Sequence, residues 1–175
     1  MYQLYEWTDI IRRFMDAGGD VLWLIAAVTF LMWTLLFERF WYFRFGLKQD
    51  VDQVFQVWES RSERKSWNAH AIRELLISQV SIKIRDSLPL IQTLVALCPL
   101  LGLLGTVTGM IEVFNIMAVT GGGDAKSMAG GVSKATIPTM AGMVAALSGV
   151  FGNTYITRIA ERERELLKDH LTTDH

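Results

Sequence analysis

One cysteine, three prolines and three histidines in 175 residues leave little material for several kinds of chemistry. Cys98 has no mate for a disulfide, and it sits in an apolar run beside Pro99, away from the cations that would make a thiolate reactive. It reads as a small buried residue. His70, His170 and His175 stand in polar segments at no spacing suited to a metal, so neither a metal nor a cofactor is expected. A surplus of either charge is missing too: 17 basic side chains against 18 acidic ones give no basic footprint for nucleic acid. No Ser, His and Asp set converges, and no glycine loop carries the Lys and Ser/Thr of a phosphate cradle, so no enzyme is expected. Gly121 to Gly123 reads as a turn.

The most informative absence is that of charge over long stretches. The chain is 51% hydrophobic, and Val21 to Phe37, Leu88 to Ile111 and Ala135 to Thr157 contain no charged residue at all. Each is long enough to cross a bilayer as a helix. The first follows Glu6, Asp9, Asp16 and Asp20 and lacks a small-residue cleavage site after it, which marks a retained anchor rather than a signal peptide. Nine Lys or Arg lie between Glu38 and Pro89 and four after Tyr155, against Arg12 and Arg13 in the first twenty residues, so the N-terminus is expected outside and the C-terminus inside. Trp23, Trp33, Trp41 and Tyr42 bracket the first span as interfacial aromatics do.

The expected fold is an all-α integral membrane protein with three spans. Leu4, Trp7, Ile11, Phe14 and Met15 fall at helical spacing opposite charged residues, which predicts an amphipathic helix over residues 1–17 on the outer face, closed by Gly18 and Gly19. Spans follow over residues 21–42, 89–118 and 128–157, with an outer loop over 119–127, a helical cytoplasmic region over 43–88 and a cytoplasmic C-terminal helix over 158–175. Within 43–88, SRSERKSWN connects two amphipathic runs. Nothing polar enough to stop a helix separates Ala71 to Ser87 from the second span, and Pro89 and Pro99 kink more readily than they terminate, so spans two and three are expected to run on into the cytoplasm.

Polar residues inside the apolar runs need an explanation, because each hydroxyl in hydrocarbon wants a partner and each glycine weakens the helix. At about 1.5 Å of rise per residue around a turn near Gly122, Thr106 falls level with Thr139, and Glu112 level with Lys134 nearer the outer surface. Gly102, Gly105 and Gly109 on one helix, and Ala141, Gly142, Ala145 and Gly149 on the next, are small enough to let backbones approach. Two readings stay open: a polar pathway, or helix packing with threonines satisfied on their own carbonyls. Opposite charge at matched depth suggests that Glu112 and Lys134 pair, within one subunit or between subunits, while snorkelling to outer water is the alternative.

CPLLGLLGTVTGMIEVF over residues 98–114 and GGVSKATIPTMAGMVAALSGVFGNTYITRI over 130–159 resemble the MotA/TolQ/ExbB proton-channel family, closest to ExbB of the TonB energy-transduction system. The resemblance covers the last two spans closely and the rest in layout. It implies a homopentameric ring in the bacterial inner membrane whose pore holds an ExbD-like dimer, with the proton-motive force driving a TonB-like protein. It also implies pore-lining roles for Thr106 and Thr139. At Lys134 the family's better-known members carry glutamate, and at Glu112 often asparagine, so this chain departs from them by an exchange of charge. A TolQ- or MotA-like stator role and a non-conducting membrane scaffold are the alternatives.

Overall fold

The computed structural model describes residues 2–60, 67–121 and 125–170, all helical apart from short breaks. The elements are α1 (Tyr2–Trp41), a π-helical turn (Tyr42–Gly46), α2 (Leu47–Glu59), α3 (Trp67–Arg85), α4 (Leu88–Thr120) and α5 (Ala125–His170). Three helical stretches, Gly18–Trp58, His70–Val119 and Met128–Asp169, are long and apolar enough to cross a membrane. Most of the SRSERKSWN connector, the loop glycines Gly122 and Gly123, and residues 171–175 lie outside the described residues. The chain divides into two units, one of Met1–Trp33 with Thr93–Val150 and one of Thr34–Gln92 with Phe151–His175.

In the first unit, α1 is interrupted at Gly19, whose φ of 65° and ψ of −163° lie outside the helical region and are open chiefly to glycine. Beyond it, Ile25 packs with Cys98, Ala145 and Ala146 in a core joined by Val21, Val28 and Leu101. Small residues on α4 and α5 dominate this core for a physical reason. Between helices in lipid the hydrophobic effect contributes little, so association depends on dispersion, which needs close approach. A Cβ on Gly105 would stand 2.3 Å from Pro138 Cβ, and one on Gly142 2.6 Å from the Cys98 carbonyl oxygen. Hydroxyls satisfy themselves nearby: Thr29 donates to the Ile25 carbonyl at 2.7 Å and Ser148 to that of Ala145 at 2.8 Å.

In the second unit, the expectation of an uninterrupted second helix is corrected. α3 ends at Arg85, α4 begins at Leu88, and Ser87 between them takes φ 41°, rare for a residue with a side chain. Pro89 accounts for the break, since it has no N–H to offer the Arg85 carbonyl and its ring would clash there, whereas in the first turn of a new helix neither matters. Arg39, only 4% exposed, closes the junction. Its guanidinium donates to the Lys83 carbonyl at 3.0 Å and to Ser87 Oγ at 2.8 Å, and lies 3.2 Å from an Asp86 carboxylate oxygen.

The π-helical turn places Tyr42 so that its hydroxyl donates to Asp50 Oδ2 at 2.6 Å, while Lys83 Nζ donates to Asp50 Oδ1 at 2.7 Å. Leu47, Val54 and Trp58 form the buried stripe of α2, and Leu76, Val80 and Ile84 that of α3, the two helices packing together.

Two predictions follow from this packing. Gly105→Leu should destabilise the protein by about 1–3 kcal/mol or more through overpacking against Pro138, while Gly130→Ala, where nothing lies within 4 Å, should not; thermal unfolding in detergent followed by far-UV circular dichroism compares them, and equal melting would reject the close contact. The hydrogen bond from Lys83, then that from Tyr42, holds the Asp50 carboxyl below its ordinary range. A depressed pKa stabilises the fold above the unfolded value near pH 4, and that contribution is lost as pH falls through the folded value. Wild type should therefore lose stability on acidification below about pH 4 more steeply than Asp50→Asn, and parallel profiles would show that Asp50 contributes nothing.

Candidate functional site

α4 and α5 lie closest where glycine meets a small or fixed residue: Gly102 against Thr139 and the Pro138 carbonyl, Gly105 against Pro138, Gly109 against Ala135. Pro138 is among the most fully buried side chains. This closeness brings Thr139 Oγ1 to the Gly102 carbonyl, to which it donates at 2.9 Å. Thr106 Oγ1 donates instead within α4, to the Leu103 carbonyl at 2.6 Å. The two hydroxyls thus bond separate carbonyls, and Thr139 sits opposite Gly102, about one helical turn from Thr106. Depth counted from the turn alone set them level, whereas the contact pairs Thr139 with Gly102.

Nearer the turn, Lys134 Nζ lies 3.0 Å from Glu112 Oε1 and 3.1 Å from Oε2. Their side chains are 39% and 54% exposed, so the pair is reachable from outside the chain. Beside it is a cavity of about 340 Å³ whose polar wall is Asp20, Thr108, Glu112 and Lys134. Gly18, Gly19, Gly105 and Gly109 also line it. Thr108 donates to carbonyls of its own helix, Leu104 at 3.1 Å and Gly105 at 3.0 Å.

The other small residues divide in their surroundings. Gly142 faces the Cys98 carbonyl and Gly102, Gly149 meets Met32 and Val95, and Ala145 belongs to the buried core, while Ala141 is half-buried. These approaches lie within one chain. The outward faces of the same helices carry Leu103, Leu104, Val107 and Ile111 on α4 and Met140, Met143, Val144 and Leu147 on α5, all exposed. Sequence reasoning passed over Asp20, Thr108 and Arg39. Asp20 follows the Gly pair that bends α1, Thr108 belongs to the GTVTG run, and Arg39 is the first cation after an apolar span; each was legible as a residue type but not as a contact.

A chain whose described residues are helical, with three stretches among them able to cross a bilayer, two of these packed through glycines around hydroxyls and an ion pair, is a multi-pass membrane protein. Residues 42–169 match the model of the MotA/TolQ/ExbB proton channel family, and the chain belongs to that family, close to ExbB. It is similar to an ExbB-like biopolymer transport protein of Synechocystis sp., 32% identical over 162 residues, covering 74% of this chain and 64% of the relative. A second Synechocystis ExbB-like protein is 36% identical over 78 residues, covering 41% of this chain and 37% of its own length. Biopolymer transport protein ExbB of Xanthomonas campestris pv. campestris is 29% identical over 96 residues, covering 55% and 38%. The chain thus spans less than two thirds of the length of each of these relatives.

The ion pair supports a cycle of variants. Glu112→Gln and Lys134→Met should each lower stability in detergent, and the exchange Glu112→Lys with Lys134→Glu should recover much of the loss, with a coupling of about 0.2–1 kcal/mol or more. An exchange no better than the sum of its single variants would show independent charges.

Proposed function

We propose that this chain is the ring-forming subunit of a proton-driven motor, N-terminus outside and C-terminus inside the bacterial inner membrane, with residues 21–42, 89–118 and 128–157 as its spans. Five copies would surround the helices of an ExbD-like dimer, and the proton-motive force would drive a TonB-like protein that energises outer-membrane transport. The chain is then not an enzyme. Family membership and the ExbB names of its relatives support this reading.

The observation that carries the mechanism is the state of the two hydroxyls. Proton transfer across hydrocarbon needs a titratable acid near mid-depth, and Leu88 to Ile111 and Ala135 to Thr157 have none. The carboxyl must come from the partner. Thr106 and Thr139 already donate their protons to the Leu103 and Gly102 carbonyls, so what they offer outward is an acceptor oxygen. An acceptor favours a protonated carboxylic acid, which donates, over a carboxylate, which cannot. The threonines would therefore hold the partner's acid neutral at that depth and release it when it ionises on reaching water.

Thr106→Val is the cleaner test, since its bond lies within one helix, whereas Thr139→Val also severs a link between helices. Each variant, co-reconstituted with the partner in vesicles, should assemble and lose most proton-driven activity. The pH dependence of Thr106→Val should shift downward by about half a unit to one unit, because one hydrogen bond to the neutral acid is gone. Full activity in both variants would remove the threonines from the pathway.

A further inference from the structure

Away from the α4–α5 hairpin's polar residues, the second unit holds a cavity of about 980 Å³ between α3, the start of α4 and the end of α5. A smaller one of about 250 Å³ shares Arg85, Pro89 and Arg164 with it. In the larger, Arg73, Arg85, Arg164 and Lys168 outnumber the acids Glu74 and Asp86, and Asp86 already lies 3.2 Å from Arg39. Arg73 donates to the Lys168 carbonyl at 2.9 Å, which joins α3 to the end of α5 and fixes the basic wall. The walls also carry polar atoms that bond nothing among the described residues: Ser81 Oγ and Arg164 Nε on the larger cavity and Thr157 Oγ1 on the smaller. The rest of the lining mixes Ser78 and Ser87 with Ile77, Pro89, Ile82 and Leu90, and of its apolar residues Ile82 and Leu90 form an open lip, 68% and 51% exposed.

Depth selects among occupants. The cavity lies where the charged α3 gives way to the uncharged run that begins at Leu88, which is the level of a headgroup layer. A soluble anion would use the cations but not Ile82 and Leu90. A basic pocket between helices at the border of the apolar span, with an apolar lip, matches a ligand that is anionic at one end and hydrocarbon at the other.

We propose that this cavity binds the headgroup of an anionic phospholipid of the adjoining leaflet, its phosphate on Arg85 and Arg164 and an acyl chain along Ile82 and Leu90. Such a lipid would tie α3, α4 and α5 together at the junction that Pro89 creates. The site depends on where α4 becomes apolar and not on the coupling mechanism above, so the two readings stand or fall separately.

The test is lipid retention by the full chain, extracted in mild detergent from vesicles of phosphatidylglycerol and phosphatidylcholine in equal amounts and analysed by native mass spectrometry. Wild type should retain phosphatidylglycerol selectively, and inorganic phosphate should not displace it. Arg85→Gln and Arg164→Gln should each reduce retention about fivefold, Arg85→Lys should keep most of it, and Arg158→Gln, outside both cavities, should match wild type. Size-exclusion elution verifies that each variant is folded, and if the Gln variants fail that check, the decision passes to the lipid preference of wild type and Arg85→Lys. Equal retention of both lipids, unchanged retention in the folded Gln variants, or displacement by phosphate alone would overturn the proposal, the last by identifying a site for a free anion.

Discussion

The polar links between α4 and α5 depend on how near the two helices can come. A side chain at Gly109 would meet Ala135 Cβ at 2.6 Å, and one at Gly102 would meet the Thr139 Cα at 3.0 Å. With leucine at these places the helices would stand further apart, and a hydroxyl as short as that of Thr139 could not reach a carbonyl on the opposite helix. The same spacing sets Glu112 within reach of Lys134. Close packing in lipid is thus more than a source of dispersion energy here, since it decides which polar groups find partners inside the chain and which face outward.

A second principle, satisfaction of helix ends, organises the other unit. Pro89 ends α3 by denying a donor to the Arg85 carbonyl, and the exposed last turn is then met by Arg39. Arg73 does the same for the end of α5 through the Lys168 carbonyl. A cation at a helix C-terminus is favoured by the partial negative charge of the free carbonyls. Arg39 is the costlier of the two, being buried, and its guanidinium is matched to three oxygens: a carbonyl, a hydroxyl and a carboxylate. A proline and an arginine fifty residues apart in sequence therefore act as one junction.

Some of this was legible in the residues and some was not. Three uncharged runs predict three spans because a bilayer tolerates nothing else of that length, and three helices of the required length and apolarity are present. Counting residues from the turn worked near the turn, where Glu112 and Lys134 meet at 3.0 Å, and drifted by Thr139, which bonds at the level of Gly102. Rise per residue is a property of one helix, whereas how two helices seat on one another is decided by side chains of both. The break at Ser87 is not legible from Pro89 alone, because a proline can kink a spanning helix or start a new one, and which it does depends on what meets the last turn before it. Here Arg39 reaches the Lys83 carbonyl of that turn from another helix, a contact no local pattern encodes.

The division of labour between hydroxyls and charges follows from where each can be satisfied. Thr106, Thr108 and Thr136 return their protons to carbonyls of their own helices, while Thr139 reaches across to α4. A helix carbonyl with two lone pairs accepts such a bond without giving up its backbone partner, so threonine can be carried deep in an apolar run at small cost. A carboxylate has no such recourse. Glu112 accordingly stands in the last third of α4, opposite a lysine and beside a cavity. Thr106 and Thr139 stay neutral on backbone carbonyls within their apolar runs, whereas the charges of Glu112 and Lys134 stand nearer the turn, each with a counter-ion; on the reading proposed above, a group that changes its charge at depth arrives from outside this chain.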